Sequence, residues 1–179
     1  MENKKPTQFL MKPKVDFCFK ELMEDEEVRN AFLAAVLGIN PKEINESKIL
    51  PSHLRQKDKD DKLGILNFIM FDDEEYYSRF HFWSDKGRKL YSDKFEIHTL
   101  ELPKLAKHDY PETELLKWLQ FINAETEEEF EMAAEKSEYI KKAYEDLNRI
   151  SADEEKRLEY EERERAIRDH QYFSTVYKN

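Results

Sequence analysis

Cysteine, glycine and proline are all scarce in this chain, with one Cys, three Gly and six Pro among 179 residues. A single thiol excludes an internal disulfide framework. Cys18, set between Phe17 and Phe19, reads as a small buried hydrophobe and not as a nucleophile. So few Gly and Pro argue against flexible linkers and low-complexity tails. No apolar run approaches the ~18 residues that a membrane span needs. Residues 1–10 are polar and lack the apolar region of an export signal, so the chain is expected in the cytoplasm with no membrane partner.

Charge is what the sequence has in excess. Charged residues make up 39% of it, with 40 Asp and Glu against 30 Lys and Arg, for a net charge of -10. That fraction is well above the usual ~25% and requires much solvated surface or exposed helix. The net field repels polyanions, so any phosphate contact has to come from a local cluster. Three small basic groups qualify: Lys12 with Lys14, Arg55 with Lys57 and Lys59, and Lys86 with Arg88 and Lys89. None reaches the density of a recognition stripe, and each reads as solvated surface.

Periodicity divides the chain into three regions. Over 15–36 the apolar positions Val15, Cys18, Phe19, Leu22, Met23, Val28, Phe32, Ala35 and Val36 follow helical spacing, ending at Gly38. This is a helical hairpin or one broken helix. Over 47–102 the period shifts toward two, predicting strands at 48–50, 63–71, 76–84 and 95–102, with Asp85, Lys86, Gly87 and Arg88 turning the third back toward 89–91. The run KLGILNFIMF at 62–71 is apolar on both faces except for Asn67, which predicts a strand covered on both sides.

From 109 onward the pattern is helical. Asp109 with Glu112, Thr126 with Glu129, and Ser151 with Glu154 each have capping-box spacing, and Pro111 suits a first turn. Apolar faces run through Leu115, Leu116, Trp118, Leu119 and Ile122, and through Ile140, Ala143, Tyr144, Leu147 and Ile150. The last helix, expected over 152–170, offers only Leu158, Ala166 and Ile167 for burial. It carries the pairs Glu159–Arg163, Glu161–Arg165 and Glu164–Arg168, so it should be held locally and project into solvent. Tyr172, Phe173, Val176 and Tyr177 then form an aromatic tail that either docks on another chain or frays. The expected fold class is α+β: a small, mostly antiparallel sheet with an N-terminal helical hairpin and a C-terminal run of helices.

Four groups of residues have the chemistry of a site. Glu96 and His98, two apart on one strand, share a face and can ligate one metal ion, although a satisfied surface pair reads better. Asp58, Asp60 and Asp61 precede the 62–71 run as a solvated loop. Asp72, Asp73, Glu74 and Glu75 put four like charges together and repel unless a cation sits among them, but lack the Gly and ligand spacing of a calcium loop. Asp16 and Glu21 lie on the first helix.

Five strings, MKPKVDFCFKELM (11–23), KDKDDKLGIL (57–66), YYSRFHFW (76–83), YSDKFEIHTLELPKL (91–105) and WLQFINAETEEEFEMAAEKSEYIKKAYE (118–145), together resemble the Rpn family of recombination-promoting nucleases and putative transposases, in the PD-(D/E)XK superfamily. The resemblance implies a magnesium-dependent DNA endonuclease. It also implies an Asp directly after the LGIL-type strand, then a strand bearing Glu-x-Gln or Glu-x-Lys and a long helix. Here Asn67 stands after LGIL, the Glu-x-Gln partner has no counterpart, and that interval is absent. LGIL fits both the upstream strand and the start of a later one, as an internal deletion between similar strings would leave it. No catalytic, cofactor-binding or metal-ligating residue is therefore assigned.

These readings amount to a truncated nuclease-like domain at 1–108 with a helical region packed on it at 109–179. The expected function is a family member deficient in cleavage. The alternative is an interaction or regulatory module that binds itself or an intact relative. DNA is a partner by resemblance alone, and the 62–71 run, stripped of its neighbours, is expected to drive self-association.

Overall fold

A computed structural model describes residues 9–49, 62–92 and 96–176. The fold is α+β, with α1 (Asp16–Met23), α2 (Glu26–Leu37), β1 (Lys62–Leu66), β2 (Tyr77–His81), β3 (Glu96–Glu101), α3 (Glu114–Asn123), α4 (Glu127–Ala134), α5 (Glu138–Ala152) and α6 (Glu154–Val176). Contacts gather the chain into two compact units. A helical unit joins 1–49 with 112–179, and a sheet unit holds 50–111.

In the helical unit the two N-terminal helices are separated at Asp25, whose carboxylate accepts from the backbone N–H groups of Glu27 and Val28 and so starts α2. Gly38 ends α2 at φ 69°, a left-handed turn that a side chain would strain. An aromatic chain runs through the core: Phe19 on Phe32, Phe32 on Trp118, Trp118 on Phe121, Phe121 on Phe130 and Phe130 on Tyr144, with ring centroids 5.4–6.2 Å apart. Cys18 is buried among these helices, and burial pushes its thiol well above the ordinary range, as expected of a structural cysteine.

The helix starts differ in part from the sequence expectation. Thr126 and Glu129 form both bonds of a capping box. Thr113, not Asp109, caps α3 by accepting from Leu116 N–H. Ser151 stays inside α5, where its hydroxyl accepts from Met11 N–H, and Asp153 takes over as the cap before α6 by accepting from Lys156 N–H. Of the pairs expected on α6, Glu164–Arg168 forms at 3.3 Å, while Glu161 is taken by Arg157 at 3.0 Å. Leu158, Ala166 and Ile167 are exposed. The anchor is Tyr160, which lies buried against Phe9 and hydrogen-bonds Lys12 N–H. Tyr177 lies outside the described residues.

In the sheet unit the strand order is β1-β3-β2, with β1 parallel and β2 antiparallel to β3. The sheet is thus mixed, half of its pairing being parallel where a mostly antiparallel one was expected. Residues 48–49 form no strand, and Leu50 lies outside the described residues. The 62–71 run stops being a strand at Leu66. Phe68, Ile69 and Met70 beyond it are exposed at 58%, 42% and 55%, so the expectation of a strand covered on both sides fails. The cause is a long-range contact: Glu101 at the end of β3 accepts from Met70 and Phe71 N–H, drawing the chain across the end of the strands instead of along them. The 85–88 turn closes as expected, with Trp83 opposite Leu90.

Asp25 also ties α2 to α5 through Lys142 at 3.0 Å. Burial opposes its ionisation, but the Val28 N–H and the Lys142 ammonium outweigh it and hold the carboxyl below the ordinary aspartate value. A carboxyl depressed in this way stabilises the fold above the unfolded pKa of ~3.9, and that contribution fades as pH falls through the folded value. Asp25→Ala should cost about 1 kcal/mol at pH 7. Asp25→Asn keeps the cap and should cost less, and the gap between wild type and Asp25→Asn should close as pH falls through the depressed carboxyl value in urea melts.

Candidate functional site

Among the described residues of the sheet unit, buried charge gathers where β1 and β3 end side by side, with Leu66 in register with Glu101. Pro103 cannot continue the ladder, and residues Leu102–Lys104 turn into a 3-10 helix. Three residues per turn place Lys104 over Glu101. Its ammonium donates to Glu101 Oε1 at 3.0 Å, to Asp73 Oδ1 at 2.7 Å and to the Glu75 carbonyl at 3.0 Å. Glu101 Oε2 accepts from the Met70 and Phe71 N–H groups. Both Glu101 and Lys104 are 1% exposed.

The protonation states follow from these contacts. Burial works against a charged Glu101, yet the Met70 N–H and the Lys104 ammonium outweigh it and keep the carboxyl below its ordinary value. Asp73 is lowered chiefly by its hydrogen bond to Lys104. Burial alone would lower the Lys104 pKa, but Asp73 and Glu101 together raise it. All three are charged at neutral pH.

The acidic loop at 72–75 thus has its cation, supplied by the chain's own Lys104. Tyr110 adds a hydrogen bond from its hydroxyl to the Glu74 carbonyl, and its ring packs edge-on against Tyr76. Sequence reasoning singled out Asp73 but missed Glu101 and Lys104. The signal was in ELPK, where a Glu precedes a proline turn and a Lys follows three residues on.

A second cluster lies on one face of β2 and β3. Register puts His81 opposite Glu96 and Arg79 opposite His98. Glu96 Oε1 lies 3.5 Å from His81 Nε2, and Oε2 lies 3.2 Å from His98 Nε2 and 3.9 Å from Arg79. The buried His98 shares a 3.0 Å hydrogen bond through Nδ1 with the Tyr77 hydroxyl. Glu96 and His98 do share a face, as expected, but the carboxylate sits between two imidazoles and turns a different oxygen to each. Among the described residues no set of three or more His, Cys, Asp or Glu can hold a metal ion.

The remaining candidates fall elsewhere. Asp16 pairs with Lys20 one turn on, and Glu21 reaches Lys156 of α6, so both are structural ties of the helical unit. Lys12 and Lys14 are both engaged by Glu125. Asp58, Asp60 and Asp61, with Arg55, Lys57 and Lys59, lie outside the described residues.

The family model for PD-(D/E)XK nuclease family transposases matches residues 63–175, from β1 to the end of α6. The chain belongs to this family. No curated protein and no solved structure matches it.

Magnesium, the ion this family implies, needs charged oxygen ligands with lone pairs to spare. The described residues do not fit it. Asn67, an exposed amide in the bend after β1, carries no charge. Asp73, Glu101 and Lys104 superficially make an Asp, Glu and Lys set, but Glu101 has both oxygens committed and the Lys104 ammonium stands between the carboxylates.

The clasp generates a prediction. Glu101→Gln should leave the helical unit intact while the amide protons of Met70 and Phe71 exchange faster. The depressed carboxyls contribute above their unfolded pKa values near ~4, and the raised Lys104 contributes below ~10.4, so wild-type protection of these amides should hold between those limits and fall on either side. Hydrogen exchange across pH reads this directly.

Proposed function

We propose that this chain is an Rpn-like family member that works by association and does not hydrolyse phosphodiesters. The observation that carries this reading is the charge at the strand ends. Hydrolysis in this superfamily rests on a metal ion that neutralises the developing phosphate charge, the largest electrostatic contribution to the rate. Here Asn67 follows the LGIL strand, and among the described residues the nearby carboxylates of Asp73 and Glu101 are bridged by Lys104. An internal deletion between LGIL-like strings accounts for both the shortened sheet and the missing ligands. On this reading the chain acts in the cytoplasm, with DNA, an intact relative or a second copy of itself as its partner.

Plasmid nicking with magnesium or manganese, beside an intact family member, tests the reading. No cleavage above buffer is expected. Cleavage that a chelator abolishes, and that survives repurification, would falsify it.

Self-association is favoured by a separate observation. Phe68, Ile69 and Met70 leave an apolar strip exposed beside β1, whose only described neighbour is β3. Such a strip next to a strand edge with no second neighbour among the described residues invites pairing between chains. The protein should sediment as a dimer at high concentration, and Phe68→Lys should yield a folded monomer. A wild-type monomer with a cooperative melt overturns the dimer and leaves the proposal on cleavage untouched.

A further inference from the structure

We infer that the hairpin of residues 82–91, FWSDKGRKLY, is a platform for single-stranded nucleic acid. It extends β2 beyond its paired length: Tyr91 N–H donates to the Phe82 carbonyl at 2.8 Å, Ser84 N–H to the Lys89 carbonyl at 2.9 Å, and Trp83 faces Leu90. That register puts Phe82 across from Tyr91 and Ser84 across from Lys89. Trp83 is 53% exposed and Tyr91 83% exposed, and a cavity of about 500 Å³ opens among Phe82, Trp83, Ser84, Lys89, Leu90 and Tyr91. Rings of this size at such exposure are what a core discards and what an unstacked base uses.

Charge selects the occupant. The hairpin carries Lys86, Arg88 and Lys89 against Asp85 alone, and among the described residues none of the three cations is ion-paired. The chain's acidity is also unevenly placed. The sheet unit has eleven Lys and Arg against twelve Asp and Glu, whereas the helical unit has nineteen against twenty-eight. Exposed charges more than about 8 Å apart are largely screened at physiological salt, so the charge that matters for a ligand is the local one, three cations against Asp85 on the hairpin itself. Cations beside exposed rings match a phosphodiester chain with accessible bases. They match a duplex less well, because its bases are already stacked.

Backbone conformation adds a third observation. Arg88 adopts φ 47°, the one non-glycine residue with positive φ among the described residues, although Gly87 stands next to it. The turn needs a left-handed residue after Gly87, and a glycine there would relieve the strain. A guanidinium held at the tip against that strain is a feature of the kind retained for a ligand.

This inference rests on the proposed function only in taking nucleic acid as a partner. Binding and nicking are read by separate assays and fail separately. The experiment is anisotropy of a labelled oligo-dT with the full chain, alongside a duplex of equal length, together with Trp fluorescence. We expect preference for the single strand, quenching of Trp83 and a log–log salt slope near about −2, from roughly −0.7 for each of three phosphate contacts. Trp83→Ala should weaken binding by about tenfold, the scale of one lost base stack, and Trp83→Phe should restore most of it. Arg88→Gly distinguishes binding from folding: the melting temperature should stay level or rise, while affinity falls and the salt slope shrinks by about 0.7. The inference is overturned by no binding at low salt, by equal affinity for duplex, or by Arg88→Gly binding as well as wild type. Shielding of Trp83 by self-association in the absence of oligonucleotide overturns it in favour of a protein contact.

Discussion

The sheet unit depends on one buried ammonium group. Lys104 is the cation on which the end of β3, the acidic loop and the exit from β1 converge, through Glu101, Asp73 and the Glu75 carbonyl. Taking Lys or Glu out of water is costly unless nearly every hydrogen-bonding position finds a partner. Here the backbone N–H groups of Met70 and Phe71 complete the shell of Glu101, so the same contacts that satisfy the charge also fix the path of the chain. The departure of 67–71 from the strand, the exposure of Phe68 and Met70, and the anchoring of the 72–75 loop are three results of one interaction.

That interaction also bears on the family's chemistry. A divalent ion held by carboxylates and an ammonium ion held by carboxylates solve the same electrostatic problem, but only the first leaves ligand positions open for water and phosphate. In this chain the ammonium stands between the carboxylates of Asp73 and Glu101. The strand ends in this chain are organised as an anchorage, while exposed rings and cations with no ion pair among the described residues lie along the 82–91 hairpin.

How much was legible in the sequence varied with the range of the interaction. Capping of α4 by Thr126, the stop at Gly38 and the break between α1 and α2 all depend on neighbours within four residues, and the pattern around them suffices. Strand length did not follow in the same way. KLGILNFIMF reads as ten residues of strand, and it ends after Leu66 because a carboxylate some thirty residues away captures Met70 N–H. Ser151 failed as a cap for the same reason: Met11, 140 residues distant, claims its hydroxyl. The aromatic chain of the helical core is visible as an apolar face on each helix, although which ring meets which is not. Glu96 and His98 were legible as one face of a strand. His81, the third member, joined them only through the antiparallel register.

Ser151 and Met11 also reveal how the chain is laid out. The helical unit is assembled from both ends of the sequence, and the sheet unit is an insertion spliced between 49 and 112. Closing a loop costs free energy that grows only with the logarithm of its length, about 0.6 kcal/mol for each doubling. A body that holds its own ends together therefore hardly registers how long its insert is. Lengthening or shortening the chain between the two splice points changes the closure cost of the helical unit little, which leaves the insert free to vary in size at small expense to its host.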